Sequence, residues 1–121
     1  MATIKSYTDI EQSRKLAEIL PLESADMNYW LAWSGGVSEE ERNTPKVGTP
    51  NKDAIKTYWC SCWSLASLLG VLPEIQGGKP IIALDDNYIT YPHMSDLHTK
   101  ADNLVDACVA MIIKLSELKM L

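Results

Sequence analysis

Residues 58–73 read Tyr58-Trp59-Cys60-Ser61-Cys62-Trp63-Ser64-Leu65-Ala66-Ser67-Leu68-Leu69-Gly70-Val71-Leu72-Pro73. Leu65, Leu68, Leu69 and Leu72 recur at i, i+3, i+4 and i+7, the spacing of one buried helix face. Gly70 weakens the last turn and Pro73 stops it. The preceding YWCSCW holds two of the four tryptophans and two of the three cysteines in the 121-residue chain. Read backwards from the leucines, it is the N-terminal approach to a buried helix. Ser61 is then the N-cap, Trp63 the packed part and Tyr58-Trp59 the surface part.

On the N-terminal side, residues 8–21 read TDIEQSRKLAEILP. Thr8 and Glu11 have capping-box spacing. Ile10, Leu16, Ala17, Ile19 and Leu20 form a one-sided stripe that Pro21 ends. A turn with a short helical piece over 21–26 is expected next. Tyr29 to Trp33 then suits a strand, closed by Gly35-Gly36. A long loop is expected over 34–57, with its polar stretch at 37–57.

On the C-terminal side, Ile81, Ile82 and Leu84 precede a turn at Asp85-Asp86-Asn87, and Tyr88, Ile89 and Tyr91 follow it. That pattern predicts a hairpin ended by Pro92. The last element is a helix capped by Asp102 or Asn103. Leu104, Cys108, Met111, Leu115 and Leu118 form its apolar stripe. The element order lacks a βαβ rhythm. It predicts an α+β fold with three main helices packed on a small antiparallel sheet, in a single domain over 1–121.

A formal net charge of −5 gives no general attraction to nucleic acid. It suits a basic surface on a protein partner. The N-terminal stretch lacks the apolar core of a signal peptide, and no run reaches the roughly 20 apolar residues that span a bilayer. Three cysteines without a secretion signal read as free thiols, which places the chain in the cytoplasm, with no membrane association.

The cysteines are the first candidates for chemistry. Cys60, Cys62, His93 and His98 make a Cys2His2 set on paper, but the one-residue cysteine spacer departs from zinc frameworks. The same spacing departs from the C-x-x-C redox signature, although Cys62 near a helix N-terminus could be a somewhat activated thiol. A cysteine hydrolase would use Cys62 or Cys60 with His93 or His98 as base and Asp96 or Asp102 to orient it. Cys108 sits on an apolar stripe and reads as packing. The glycine pairs lack a phosphate-loop context. No metal, cofactor or catalytic residue is therefore expected. The aromatics remain. Alternation puts Trp30 on one face of its strand and Tyr29 and Trp33 on the other. One face packs, and the other is available for stacking.

Three blocks, SYTDIEQSRKLAEILPLESADM at 6–27, CWSLASLLGVLPE at 62–74 and ADNLVDACVAMIIKLSELKML at 101–121, resemble a family of small uncharacterised proteins of gut bacteria, their phages and prophages. The resemblance covers about half the chain and implies no activity or catalytic residue. It implies a phage-type context in which small acidic proteins bind, some inhibiting a host defence protein and others sequestering a nucleotide signal. On that footing the expected function is non-enzymatic binding, as an anti-defence protein, of a host protein or a small nucleotide. The expected contact residues are Tyr29, Trp33, Tyr58 and Trp59, with Arg42, Lys52 and Lys56 to meet a phosphate. The alternatives are the cysteine-dependent enzyme and a structural homo-oligomer, the latter marked by an exposed apolar face around Val109, Ile113 and Met120.

Overall fold

Asp9, not Thr8, caps the first helix. Its Oδ1 accepts from the Gln12 amide at 2.7 Å, and Gln12 Oε1 accepts from the Asp9 amide at 3.2 Å. The capping box is thus displaced by one residue from its expected place. The reason is that Thr8 is occupied elsewhere: its N–H donates to the Trp63 carbonyl at 3.0 Å, and its Oγ1 accepts from the Trp63 N–H at 3.1 Å. This computed structural model describes residues 5–30, 45–47, 59–75, 77–92 and 94–121. Helix α1 runs Ile10–Ala17 and buries Leu16, while Ala17, expected on the stripe, is exposed. It ends before Pro21, whose ring disfavours helical backbone at the preceding residue. The short helical piece expected over 21–26 follows as a 3-10 turn at Leu22–Ser24.

The first sheet has β1 (Met27–Trp30) at its centre, between β2 (Lys46–Val47) and β3 (Trp59–Cys62), all antiparallel. β2 falls inside the stretch expected to be loop. Two further corrections follow. YWCSCW is not a helix approach over its whole length, because Trp59 to Cys62 pair with β1, Tyr29 opposite Cys60 and Met27 opposite Cys62. The N-cap of helix α2 (Leu65–Val71) is Ser64 rather than Ser61; its Oγ accepts from the Ser67 amide at 3.2 Å. Asp26 braces this corner, accepting from the Ser64 N–H at 2.9 Å and from its hydroxyl. Burial works against the Asp26 charge, but the bonds from Ser64 outweigh it and hold the carboxyl below its ordinary range.

The second sheet has the order β4 (Ile81–Ala83), β5 (Tyr88–Tyr91) and β6 (Met94–Lys100), also antiparallel. The hairpin turns where expected, with Asn87 in the left-handed region at φ 52°. Strand β5 ends at Tyr91, immediately before Pro92, as expected. The chain reverses there and β6 returns along β5, with Ile89 opposite Thr99 and a register shift at Thr90/Tyr91. Gly78 is required at the base of this sheet, since a Cβ there would lie 2.7 Å from the Pro92 ring.

Helix α3 (Leu104–Glu117) closes the structure. Asn103 caps it, Oδ1 accepting from the Asp106 amide at 2.9 Å. Its Val105, Cys108, Met111, Ile112 and Leu115 are fully buried with Trp63, Leu68, Ile89 and Leu97. Each such side chain contributes roughly 1.5–3 kcal/mol by leaving water. Across the described residues the fold is α+β, three helices against antiparallel strands, with those strands divided between two sheets. No helix among them is long and apolar enough to cross a membrane.

Candidate functional site

Two of the side chains singled out above, Tyr29 and Cys62, converge on Thr8. Cys60 and Cys62 share one face of β3, and Tyr29 lies across from them on β1 in a small buried cluster. The Tyr29 hydroxyl donates to the Thr8 carbonyl at 2.7 Å, and the Cys62 thiol donates to the same oxygen at 3.3 Å. Thr8 Oγ1 lies 2.7 Å from Ser13 Oγ and 3.5 Å from Cys62 Sγ. Thr8, Ser13 and Cys62 are all 0% exposed.

This environment stabilises protonated thiols. Burial pushes the Cys62 thiol above its ordinary range, and hydrogen bonds from Thr8, Ser13 and Tyr29 only partly oppose it. Burial does the same to Cys60, against an opposing pull from Arg14. The Cys108 thiol, inside the main core, is pushed up to about 12 by burial. The activated thiol considered for Cys62 is therefore not what the fold provides. A thiol held neutral is a poor nucleophile and a poor metal ligand. His98, one proposed base, lies on β6 in the other sheet, exposed, its ring 5.0 Å from that of Tyr88. His93 lies outside the described residues. Among those residues, no three His, Cys, Asp or Glu side chains are grouped to hold a metal ion.

Of the expected contact residues, Tyr29 is 2% exposed and belongs to the packed face of its strand, so it offers no stacking surface there. Burial also raises its hydroxyl above the ordinary range. For Trp59 only the backbone place in β3 is described. Trp33, Arg42, Lys52, Lys56 and Tyr58 lie outside the described residues.

A different place has the geometry of a contact surface. An open cleft of about 470 Å³ lies between α1 and α3. Its walls are Glu11, Gln12 and Lys15 from α1 and Asp106, Val109, Ala110 and Ile113 from α3. A polar clasp closes one end. Lys5 Nζ donates to Asp106 Oδ1 at 2.7 Å and to Gln12 Oε1 at 2.8 Å, and Gln12 Nε2 donates to Asp106 Oδ1 at 2.8 Å. Burial disfavours the Asp106 charge, but bonds from Lys5, Gln12 and Asn103 outweigh it and hold the carboxyl low. The exposed apolar face expected around Val109, Ile113 and Met120 is not formed, and Met120 is half-buried. Val109 is in fact buried and Ile113 half-buried, and Ala110 is the exposed apolar position of this helix face. The α1 wall left no signal of its own, because it depends on which helix lies opposite.

The cleft is a shallow apolar strip between charged rims. Asp106 is paired with Lys5, and Glu11 shares the rim with Lys15, so the charges around the strip are of both signs. Comparison with protein-family models, with curated proteins and with solved structures found no match to this chain.

Proposed function

We propose that the chain is a non-enzymatic binding protein of phage or prophage type, an anti-defence protein that engages a basic host protein in the host-cell cytoplasm. The observation that carries this reading is the α1–α3 cleft, an apolar strip of Val109, Ala110 and Ile113 rimmed by Glu11, Gln12, Lys15 and Asp106. The net charge of −5 favours a partner of opposite sign and speeds encounter with it. The inward, protonated thiols weigh against the cysteine-dependent enzyme. For a nucleotide ligand, the cations suited to its phosphate were Arg42, Lys52 and Lys56, which lie outside the described residues. The phage context rests on the three-block resemblance.

The test is native mass spectrometry of the chain purified under non-denaturing conditions from a gut-bacterial host. The reading expects a stoichiometric protein complex that weakens with salt and is lost in Ala110→Arg, which places bulk and positive charge in the cleft. A co-purifying nucleotide, or a complex indifferent to Ala110→Arg, would contradict it.

A further inference from the structure

The two lysines at the α1–α3 cleft differ in kind. Lys15 stands on the rim from an exposed position on α1. Lys5 lies in the chain before α1, and its ammonium is surrounded by acceptors from both sides of the clasp: Asp106 Oδ1 at 2.7 Å, Gln12 Oε1 at 2.8 Å and Asp9 Oδ2 at 3.4 Å. Gln12 and Asp106 are also walls of the cleft. Both are oriented by groups other than Lys5. Gln12 is held by its capping box with Asp9, and Asp106 by the Asn103 side chain, which donates to Oδ2 at 3.0 Å. The three acceptors therefore form a cradle for a cation that stands without the lysine now in it.

Lys5 can leave that cradle without moving the fold. The chain after it is anchored, the Ser6 carbonyl accepting from the Leu65 N–H at 2.9 Å and Tyr7 bridging to Ser64. Only the lysine side chain has to swing into water, where its compact ammonium is strongly hydrated. A guanidinium is the better occupant, because its planar fork can meet a carboxylate and a neighbouring acceptor with two parallel N–H bonds.

We propose that Lys5 is an autoinhibitory side chain, occupying in cis the Asp9–Gln12–Asp106 cradle that receives an arginine of the basic partner. This rests on the reading of the cleft as the docking site for such a partner. With Lys5 in place, the cleft is closed at the clasp and Asp106 is neutralised, so a basic protein gains little from it. An arginine presented beside the Val109, Ala110 and Ile113 strip displaces Lys5 and gains the carboxylate. Lys5 thus trades affinity for selectivity.

The test is titration of the full chain with N-acetyl-hexa-arginine amide, followed by NMR at the side-chain amides of Gln12 and Asn103, both of which bond to Asp106. In the wild type both signals are expected to move. Lys5→Met is expected to bind the peptide roughly fivefold tighter, and Lys5→Arg, a stronger cis competitor of unchanged charge, roughly fivefold weaker. Lys79→Met removes the same charge at an exposed residue outside the cleft lining and is expected to change affinity by less than about twofold. Adding Asp106→Asn to Lys5→Met should abolish the gain. Lys5→Arg decides the case should Lys5→Met fail to fold. Unmoved Gln12 and Asn103 signals, a Lys5→Met no tighter than Lys79→Met, or a Lys5→Arg that binds as the wild type does overturn the proposal. The host complex separates it from the reading beneath it. A complex lost in Ala110→Arg yet no stronger in Lys5→Met overturns the autoinhibition and leaves the docking site. The expected peptide response without any host complex supports the cradle while the docking site fails.

Discussion

Two buried regions of this chain are held by different physics. Around α3, Val105, Cys108, Met111, Ile112 and Leu115 pack on Ile89, Leu97 and Leu68, and dispersion and the hydrophobic effect dominate. Around Thr8, the buried groups are Thr8, Ser13, Tyr29 and Cys62, joined by hydrogen bonds to one threonine's backbone and hydroxyl. The first region tolerates exchange of one apolar side chain for another of like volume. The second demands particular donors and acceptors, because a buried polar group that loses its partner carries its full desolvation cost. Cysteine appears in both, as a filler in one and a weak donor in the other. This is why counting cysteines in the sequence said little about what they do.

The contrast can be broken in order of expected effect. Leu115→Ala removes a fully buried side chain and is expected to cost about 3 kcal/mol in urea unfolding; a loss under 1 kcal/mol would mean that the α3 region is not the dominant core. Thr8→Val keeps the shape but removes the acceptor for the Trp63 amide, and is expected to cost about 2 kcal/mol. Tyr29→Phe, which removes the hydroxyl that donates to the Thr8 carbonyl and lies beside the Cys62 thiol, should cost about 1 kcal/mol. If Thr8→Val were neutral, the network would be incidental and the Thr8 region an ordinary apolar cluster.

Proton linkage sharpens the same comparison. The Cys108 thiol has an unfolded value near 9.0 and a native one of about 12. Its raised value contributes stability that is complete below pH 9.0 and declines as pH rises towards 12. Cys108→Ala should therefore flatten the alkaline limb of the stability profile while lowering it at neutral pH. Asp106 carries the opposite sign. Its lowered value contributes stability present above pH 3.8 and lost as pH falls further through its native value. Asp106→Asn should shallow that acid limb, an effect kept small by the part of the side chain that remains in water. Denaturant midpoints measured across pH for the two variants will separate these contributions.

What was legible in the sequence follows the same division. Helix α3, the β4–β5 hairpin and the burial of Trp63 were readable, because apolar periodicity and turn residues are local signals. Strand β6, Met94–Lys100, was not: in MSDLHTK the inward apolar position Leu97 stands among polar residues, so no alternation announces it. Nor was β3, whose Cys60-Ser61-Cys62 stretch lacks β-branched side chains and becomes a strand through its pairing with β1. The cap moved from Thr8 to Asp9 for a tertiary reason, the engagement of Thr8 by Trp63. The cleft was legible only on its α3 wall, because Gln12 and Asp106 meet across 94 residues of chain.

The most direct test of binding at the cleft is site-specific photo-crosslinking in a gut-bacterial host, with the crosslinking amino acid at exposed Ala110 and, as a control, at exposed Glu23 on the 3-10 turn. The account predicts one dominant protein adduct at Ala110 that excess wild-type chain competes away, and no matching adduct at Glu23. Equal labelling at both positions, or none at Ala110 while a small molecule co-purifies with the chain, would contradict it.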